Sequence, residues 1–101
     1  MPKKVQEILD FWFKETPPKK RFQKHKDFDE LIKKNFLTDY ELACTNEYDD
    51  WQDTPLGCLA LVILFDQFPR NMFRDSKRAF AQDHKTRLIV NDAVYAGFLE
   101  K

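Results

Sequence analysis

Asp53-Thr54-Pro55-Leu56-Gly57-Cys58-Leu59-Ala60-Leu61-Val62-Ile63-Leu64-Phe65-Asp66-Gln67-Phe68-Pro69-Arg70-Asn71 is the stretch that decides the fold. Its opening is a helix start, a capping residue followed by proline at the first helical position. From Cys58 to Phe65 there is no polar side chain. A helix from Pro55 to about Gln67 is therefore predicted, and one that is hydrophobic all round belongs at the centre of a core. A buried strand is the competing reading. Thirteen residues is long for a strand, Leu and Ala favour helix, and the cap decides it. Pro69 lacks an N–H and biases Phe68 away from helical angles, so the helix is expected to stop there.

Three further helices surround this one. Val5, Ile8, Leu9, Trp12 and Phe13 follow the spacing of an amphipathic helix over residues 3–14, and Pro17-Pro18 end it. A short basic connector reaches about Lys26. The next helix starts near Asp27 or Asp29, whose carboxylates favour a helix N-terminus, and runs to about Glu47 unless Thr38-Asp39 interrupts it. Phe28, Leu31, Ile32 and Phe36 make its stripe, with Ala43 extending it. Residues 76–82 suit a helical turn, and Asp83 is placed to cap a last helix. Leu88, Val94 and Tyr95 share one side of it, Ile89 and Ala93 widen the stripe, and Gly97 is its stop. The expected fold is all-α: an antiparallel array of about four main helices joined by short loops.

Composition agrees. At 101 residues the chain is one small domain, and ten phenylalanines supply the bulk for a single core. Two glycines and five prolines are too few turn residues for a many-stranded sandwich. Net charge is zero, so no general attraction to nucleic acid or anionic lipid is expected. The charge is blocky all the same. Residues 14–26 carry six bases and one acid, 38–53 six acids and no base, and 70–87 six bases and two acids. Such blocks suit solvated faces that complement one another, or a basic surface for an anionic partner. Cys44 and Cys58 form no CxxC, and Cys58 lies within the apolar run. Two unpaired thiols, no leader behind Met1-Pro2-Lys3-Lys4 and no apolar run approaching the ~20 residues of a membrane span point to the cytoplasm.

The polar cluster that closes the central helix carries the functional question. Asp66 and Arg70 are four apart, acid first, and Arg70 is placed to cap the last carbonyls and meet Asp66. Asn71 holds a turn and Gln67 bonds freed backbone. This structural reading accounts for every polar residue. The functional one makes Asp66, Gln67, Arg70 and Asn71 a wall of a pocket with Arg74 and Arg78 nearby, where arginine forks would take a carboxylate or phosphate. As a general base Asp66 would need a raised pKa, which an adjacent arginine opposes. No nucleophile–base pair or glycine-rich phosphate loop is visible. His25 with Asp27 and Asp29 matches no tight metal site, so neither metal nor cofactor is expected. Trp12, Phe13, Trp51 and Phe73 read as core aromatics rather than a stacking platform. Arg78-Ala79-Phe80 beside Arg74 and Lys77, on a neutral chain without a recognition helix, is not read as a nucleic-acid patch.

Leu9-Asp10-Phe11-Trp12-Phe13, Trp51-Gln52-Asp53-Thr54-Pro55, Leu59-Ala60-Leu61, Asp66 through Arg74 and Arg78-Ala79-Phe80-Ala81-Gln82-Asp83 together resemble one family. It is the uncharacterised bacterial family numbered 924 among the domains of unknown function. The resemblance implies an all-α, tetratricopeptide-like helical array and no known activity. Its signature carries over as Trp12, Phe13, Trp51, Asp66, Gln67, Phe68, Pro69, Arg70, Asn71, Phe73, Arg78, Phe80 and Asp83. Members are typically longer, with further helices and a His-Ser-Glu segment that nothing here matches, so the chain resembles an N-terminal half. A helical array cut there exposes an apolar face, which predicts self-association. The leading functional expectation is a non-enzymatic scaffold binding a peptide or protein partner through acidic or carboxylate groups, without nucleic acid or membrane. The alternatives are a hydrolase or transferase site around Asp66, Gln67 and Arg70 completed by a missing half, and a remnant whose polar cluster is purely structural.

Overall fold

The computed structural model describes residues 3–16, 26–74 and 76–98. All regular structure among them is helical. Helix α1 is Lys3–Asp10, prolonged by a wide π turn at Phe11–Glu15; α2 is Lys26–Cys44. Helix α3 is one rod of three pieces, Pro55–Val62, a π turn at Ile63–Gln67, and Phe68–Met72. Helix α4 is Asp83–Tyr95. Short 3-10 turns at Asp49–Asp53 and Lys77–Phe80 lead into α3 and α4. The prolines at 17 and 18, the basic connector and His25 lie outside the described residues.

The start of α3 is as its sequence demands. Thr54 has extended angles, its hydroxyl accepts the Gly57 N–H at 3.0 Å, and Pro55 follows at the first position. Gly57 has a second reason to be there. A Cβ at this position would stand 1.9 Å from the Trp51 carbonyl oxygen, so only glycine lets the 3-10 turn lie against the helix.

Pro69 does not end the helix, contrary to the sequence expectation. In the π turn the Phe68 N–H reaches back five residues to the Ile63 carbonyl. That shift opens the ladder just before the proline. Pro69 then occupies the first turn of the resumed segment, where no donor is required of it. Phe68 keeps helical angles at φ −62° and ψ −41° despite preceding a proline. Its fully buried ring offsets that cost. A like turn in α1 brings Phe11 into the core and leaves Phe13 half-exposed, and the Thr16 hydroxyl donates to the Phe11 carbonyl at 2.6 Å.

Side-chain pairings show the helices to be antiparallel. Along α2 and α3, Asp29 meets Asn71, Phe36 stacks on Phe68 at 4.8 Å, and Tyr40 meets Phe65 at 6.4 Å. Lys4 pairs with Asp39 while Phe11 lies on Phe28, so α1 also runs against α2. The core is one aromatic-rich cluster around Phe65, Phe68, Leu61 and Leu64, all from α3. Edge-to-face and stacked rings of Phe11, Trp12, Phe36 and Phe68 fill its centre.

Helix ends are closed by backbone motifs. At Asn46 (φ 68°) the Glu47 N–H reaches Leu42 and the Asn46 N–H reaches Ala43, a left-handed cap that ends α2 before the expected Glu47. Gly97 (φ 77°) repeats it for α4, with Phe98 bonding to Ala93 and Gly97 to Val94. Three expectations are corrected, two about faces and one about a cap. Leu31 is on the exposed side of α2, whose buried residues are Phe28, Ile32, Phe36, Asp39, Tyr40 and Ala43. On α4 the buried residues are Thr86, Ile89 and Ala93, whereas Leu88 and Val94 are 50% exposed and Tyr95 91%. Asp83 is the first residue of α4 rather than its cap, because Gln82 occupies the cap position without a side-chain bond. Among the described residues no helix is long and apolar enough to cross a membrane.

Candidate functional site

The π turn and the resumed segment after it place Asp66, Gln67, Arg70 and Asn71 on successive turns of one rod. Both Asp66 carboxylate oxygens are engaged. Oδ1 accepts from Arg70 Nη1 at 2.5 Å and Oδ2 from Gln67 Nε2 at 2.8 Å. The same Arg70 nitrogen donates to the Asp66 backbone carbonyl at 2.7 Å. Arg70 thus does what was expected of it, capping a carbonyl and meeting Asp66, but one turn along an unbroken helix. Its other nitrogen lies 3.7 Å from Asp83 Oδ1, a buried oxygen with no hydrogen-bond partner among the described residues. Phe80 packs its ring 5.0 Å from the guanidinium.

Asn71 and Arg74 point the other way, to the first turn of α2. Asp29 Oδ1 accepts from Asn71 Nδ2 at 2.9 Å and from Arg74 Nη2 at 2.9 Å, and Oδ2 accepts from Arg74 Nε at 2.7 Å. This fork-on-carboxylate pair spans 45 residues of sequence and ties the end of α3 to the start of α2. Arg78 stacks on Phe73, its guanidinium carbon 3.9 Å from the ring centre. Ser76 opens the 3-10 turn by accepting the Arg78 N–H at 3.2 Å.

The six residues singled out from sequence therefore form three linked groups: Asp66 with Gln67 and Arg70, Asn71 with Arg74 on Asp29, and Arg78 on Phe73. Beside them is an open groove of about 480 Å³, lined by Arg70, Arg74, Ser76, Lys77, Ala79 and Phe80. Asp66, Gln67, Asn71 and Arg78 do not line it. Its charged wall is cationic, and Phe80, 56% exposed, gives it an apolar edge.

Four residues have roles that the sequence does not announce. Asp29 was read for its place in the first turn of α2, but it is the hub of the cross-brace. Ser76 reads from sequence only as part of a helical turn and Lys77 only as a basic neighbour of Arg78-Ala79-Phe80, yet both line the groove. Lys85 donates to the Ala43 carbonyl at 3.3 Å and to Asn46 Oδ1 at 2.9 Å, setting a cation on the negative end of α2. Elsewhere, Tyr48 donates to the buried Asp39 at 2.7 Å and stacks on Trp51. Burial pushes the Tyr40 phenol up to about 12. Burial, followed by the carboxylates of Asp92 and Asp53, also raises the Cys58 thiol. Among the described residues no group of three or more His, Cys, Asp and Glu stands together as a metal site would require.

Fold and cluster together define an all-α protein built as an antiparallel array of four helices, cross-braced at one end by the partly buried Arg74–Asp29 ion pair. The chain belongs to the bacterial proteins of unknown function DUF924, whose pattern matches residues 8–101. It is similar to the solved structure of ATU0120, a protein of unknown function from Agrobacterium tumefaciens, at 35% identity and a TM-score of 0.87. The match covers 93% of this chain and 53% of that one, so this chain spans about half that protein's length. No curated protein matches the chain.

Proposed function

We propose that the chain is a non-enzymatic helical binding module that takes an acidic peptide segment or a free C-terminal carboxylate in the groove between α3 and the 3-10 turn. The observation that carries this reading is the cationic groove of about 480 Å³, with Arg70, Arg74 and Lys77 on its wall and Phe80 at its edge. Arginines fixed by Asp66 and Asp29 are preorganised, so little side-chain entropy is lost when a ligand docks on their outer edges. Lys77 is exposed and adds a mobile charge. Phe80 suits the apolar side chain that accompanies an acidic group in a peptide.

The catalytic alternative is weaker on the same geometry. A general base needs a lone pair aimed at substrate, whereas both Asp66 oxygens bond to donors on their own helix. The reading invokes no metal or cofactor, and the paired thiol chemistry of an oxidising compartment is not part of it, in keeping with a cytoplasmic setting.

The test is fluorescence anisotropy with a labelled glutamate-rich peptide, made once with a free C-terminus and once amidated. Binding should weaken with salt, as attraction between exposed charges does, and fall at least tenfold in Lys77→Glu. Equal binding by wild type and Lys77→Glu would overturn the assignment, and turnover of a small-molecule library abolished by Asp66→Asn would favour the catalytic reading.

A further inference from the structure

The two arginines on the groove wall differ in what they have left to offer. Arg74 lays Nε and Nη2 on the Asp29 carboxylate at 2.7 and 2.9 Å, which uses the flat edge that grips a carboxylate. Arg70 is anchored by its other nitrogen. Nη1 alone serves both the Asp66 carboxylate and the Asp66 backbone carbonyl. The Nε–Nη2 edge of Arg70 makes no hydrogen bond among the described residues. Because the guanidinium is a rigid plane, fixing Nη1 also fixes the direction of that edge. Phe80 takes one face of the plane, so the edge is the part that a ligand in the groove can use.

A carboxylate of the protein stands ready to take the same edge. Asp83 Oδ1 lies 3.7 Å from Nη2, beyond the roughly 2.7–3.2 Å of an N–H···O hydrogen bond. That oxygen is buried and has no hydrogen-bond partner among the described residues. Buried acceptors are nearly always paired in folded proteins. Here a donor and an acceptor of opposite charge face each other and stop just short of bonding.

We propose that the Nε–Nη2 edge of Arg70 is the element that binds the ligand's carboxylate, and that Asp83 lowers the affinity by competing for it. This rests on the groove assignment above and names the atoms that carry it. A small rotation of the guanidinium about its Nη1 anchor closes Nη2 on Asp83 when no ligand is bound. A ligand carboxylate brings two oxygens to the edge, whereas Asp83 brings one within reach, so the bidentate pair displaces the single contact. The fraction of molecules with the edge turned to Asp83 reduces the apparent affinity in proportion. Asp83 also repels the incoming anion, since both carry negative charge. Arg74, with its own edge on Asp29, adds positive charge to the wall without supplying the fork.

Fluorescence anisotropy on the full chain tests this, with the labelled glutamate-rich peptide as probe. Asp83→Asn keeps the shape of the side chain and removes its charge, and should bind roughly threefold tighter, the scale of a partly exposed ion pair. A merely structural Asp83 in the first turn of α4 would lower the urea midpoint without tightening binding. Arg70→Lys keeps the charge but has no fork, and should lose at least tenfold. A second readout does not depend on any variant: the Nε–H resonance of Arg70 should move as the peptide saturates the wild type. Unchanged or weaker binding by Asp83→Asn, or an Arg70 Nε–H that stays still at saturation, overturns the proposal. The groove assignment survives either result if Lys77→Glu still abolishes binding. A wild type that binds no peptide overturns both.

Discussion

Replacing Asp29 by alanine removes the hub of the cross-brace. The carboxylate accepts three hydrogen bonds, one from Asn71 and two from Arg74, and its side chain is 15% exposed. The two partners lose unequally. The Arg74 side chain is 29% exposed and can turn its fork to water, so its share is discounted toward the roughly 1 kcal/mol of a surface pair. Asn71 is buried, and an amide left unsatisfied there costs about 1–3 kcal/mol. The sum is about 3 kcal/mol, which in a domain of this size lowers the Tm by about 15 °C. Urea and thermal unfolding followed by circular dichroism measure it. A double-mutant cycle with Asn71→Ala should return a coupling of about 1 kcal/mol or more, since the two residues touch. A loss under about 0.5 kcal/mol, the size of an ordinary surface change, would refute the brace.

Other outcomes follow from the same contacts. Gly57→Ala should destabilise by about 2 kcal/mol or more in urea unfolding, because the new methyl would overlap the Trp51 carbonyl. Helix propensity alone predicts the opposite sign, a gain of up to ~1 kcal/mol, so the sign decides. Asp66→Asn should cost about 1 kcal/mol and Arg70→Ala more, because the guanidinium also holds the Asp66 carbonyl and packs on Phe80. Burial raises Cys44, Cys58, Tyr40 and Tyr48 above their ordinary values, so with rising pH the unfolded chain gives up these protons first. Their contribution to stability is whole below about pH 9, where free thiols titrate, and is lost as pH climbs to about 12, where Tyr40 titrates. Urea midpoints measured across that range should fall steadily.

Local signals in the sequence were reliable wherever the cause was local. Asp53-Thr54-Pro55 marked the start of α3 because a cap and a proline act on their own neighbours. Gly97 marked the end of α4 for the same reason. Pro69 misled because its effect depends on the hydrogen-bond register of the preceding turn, and no residue of Ile63–Gln67 announces a π turn. Leu88, Val94 and Tyr95 share an apolar side of α4 yet stay outside the core, because helical spacing identifies a stripe without saying what meets it. The side of α4 that turns inward is set by packing on α3 and by Lys85 reaching the end of α2. In the polar cluster the Asp66–Arg70 pair was legible at four residues' spacing, whereas the pairing of Asp29 with Asn71 and Arg74 spans more than forty and exists only in the fold.

A backbone amide chemical-shift titration with the glutamate-rich peptide tests most directly whether the braced end of α3 presents a carboxylate-binding groove. Saturable shifts should centre on Arg70, Arg74, Ser76, Lys77 and Phe80, the residues that line it, and disappear in Lys77→Glu while the remaining spectrum keeps its native dispersion. Shifts centred anywhere else, or none at peptide concentrations approaching millimolar, would contradict it.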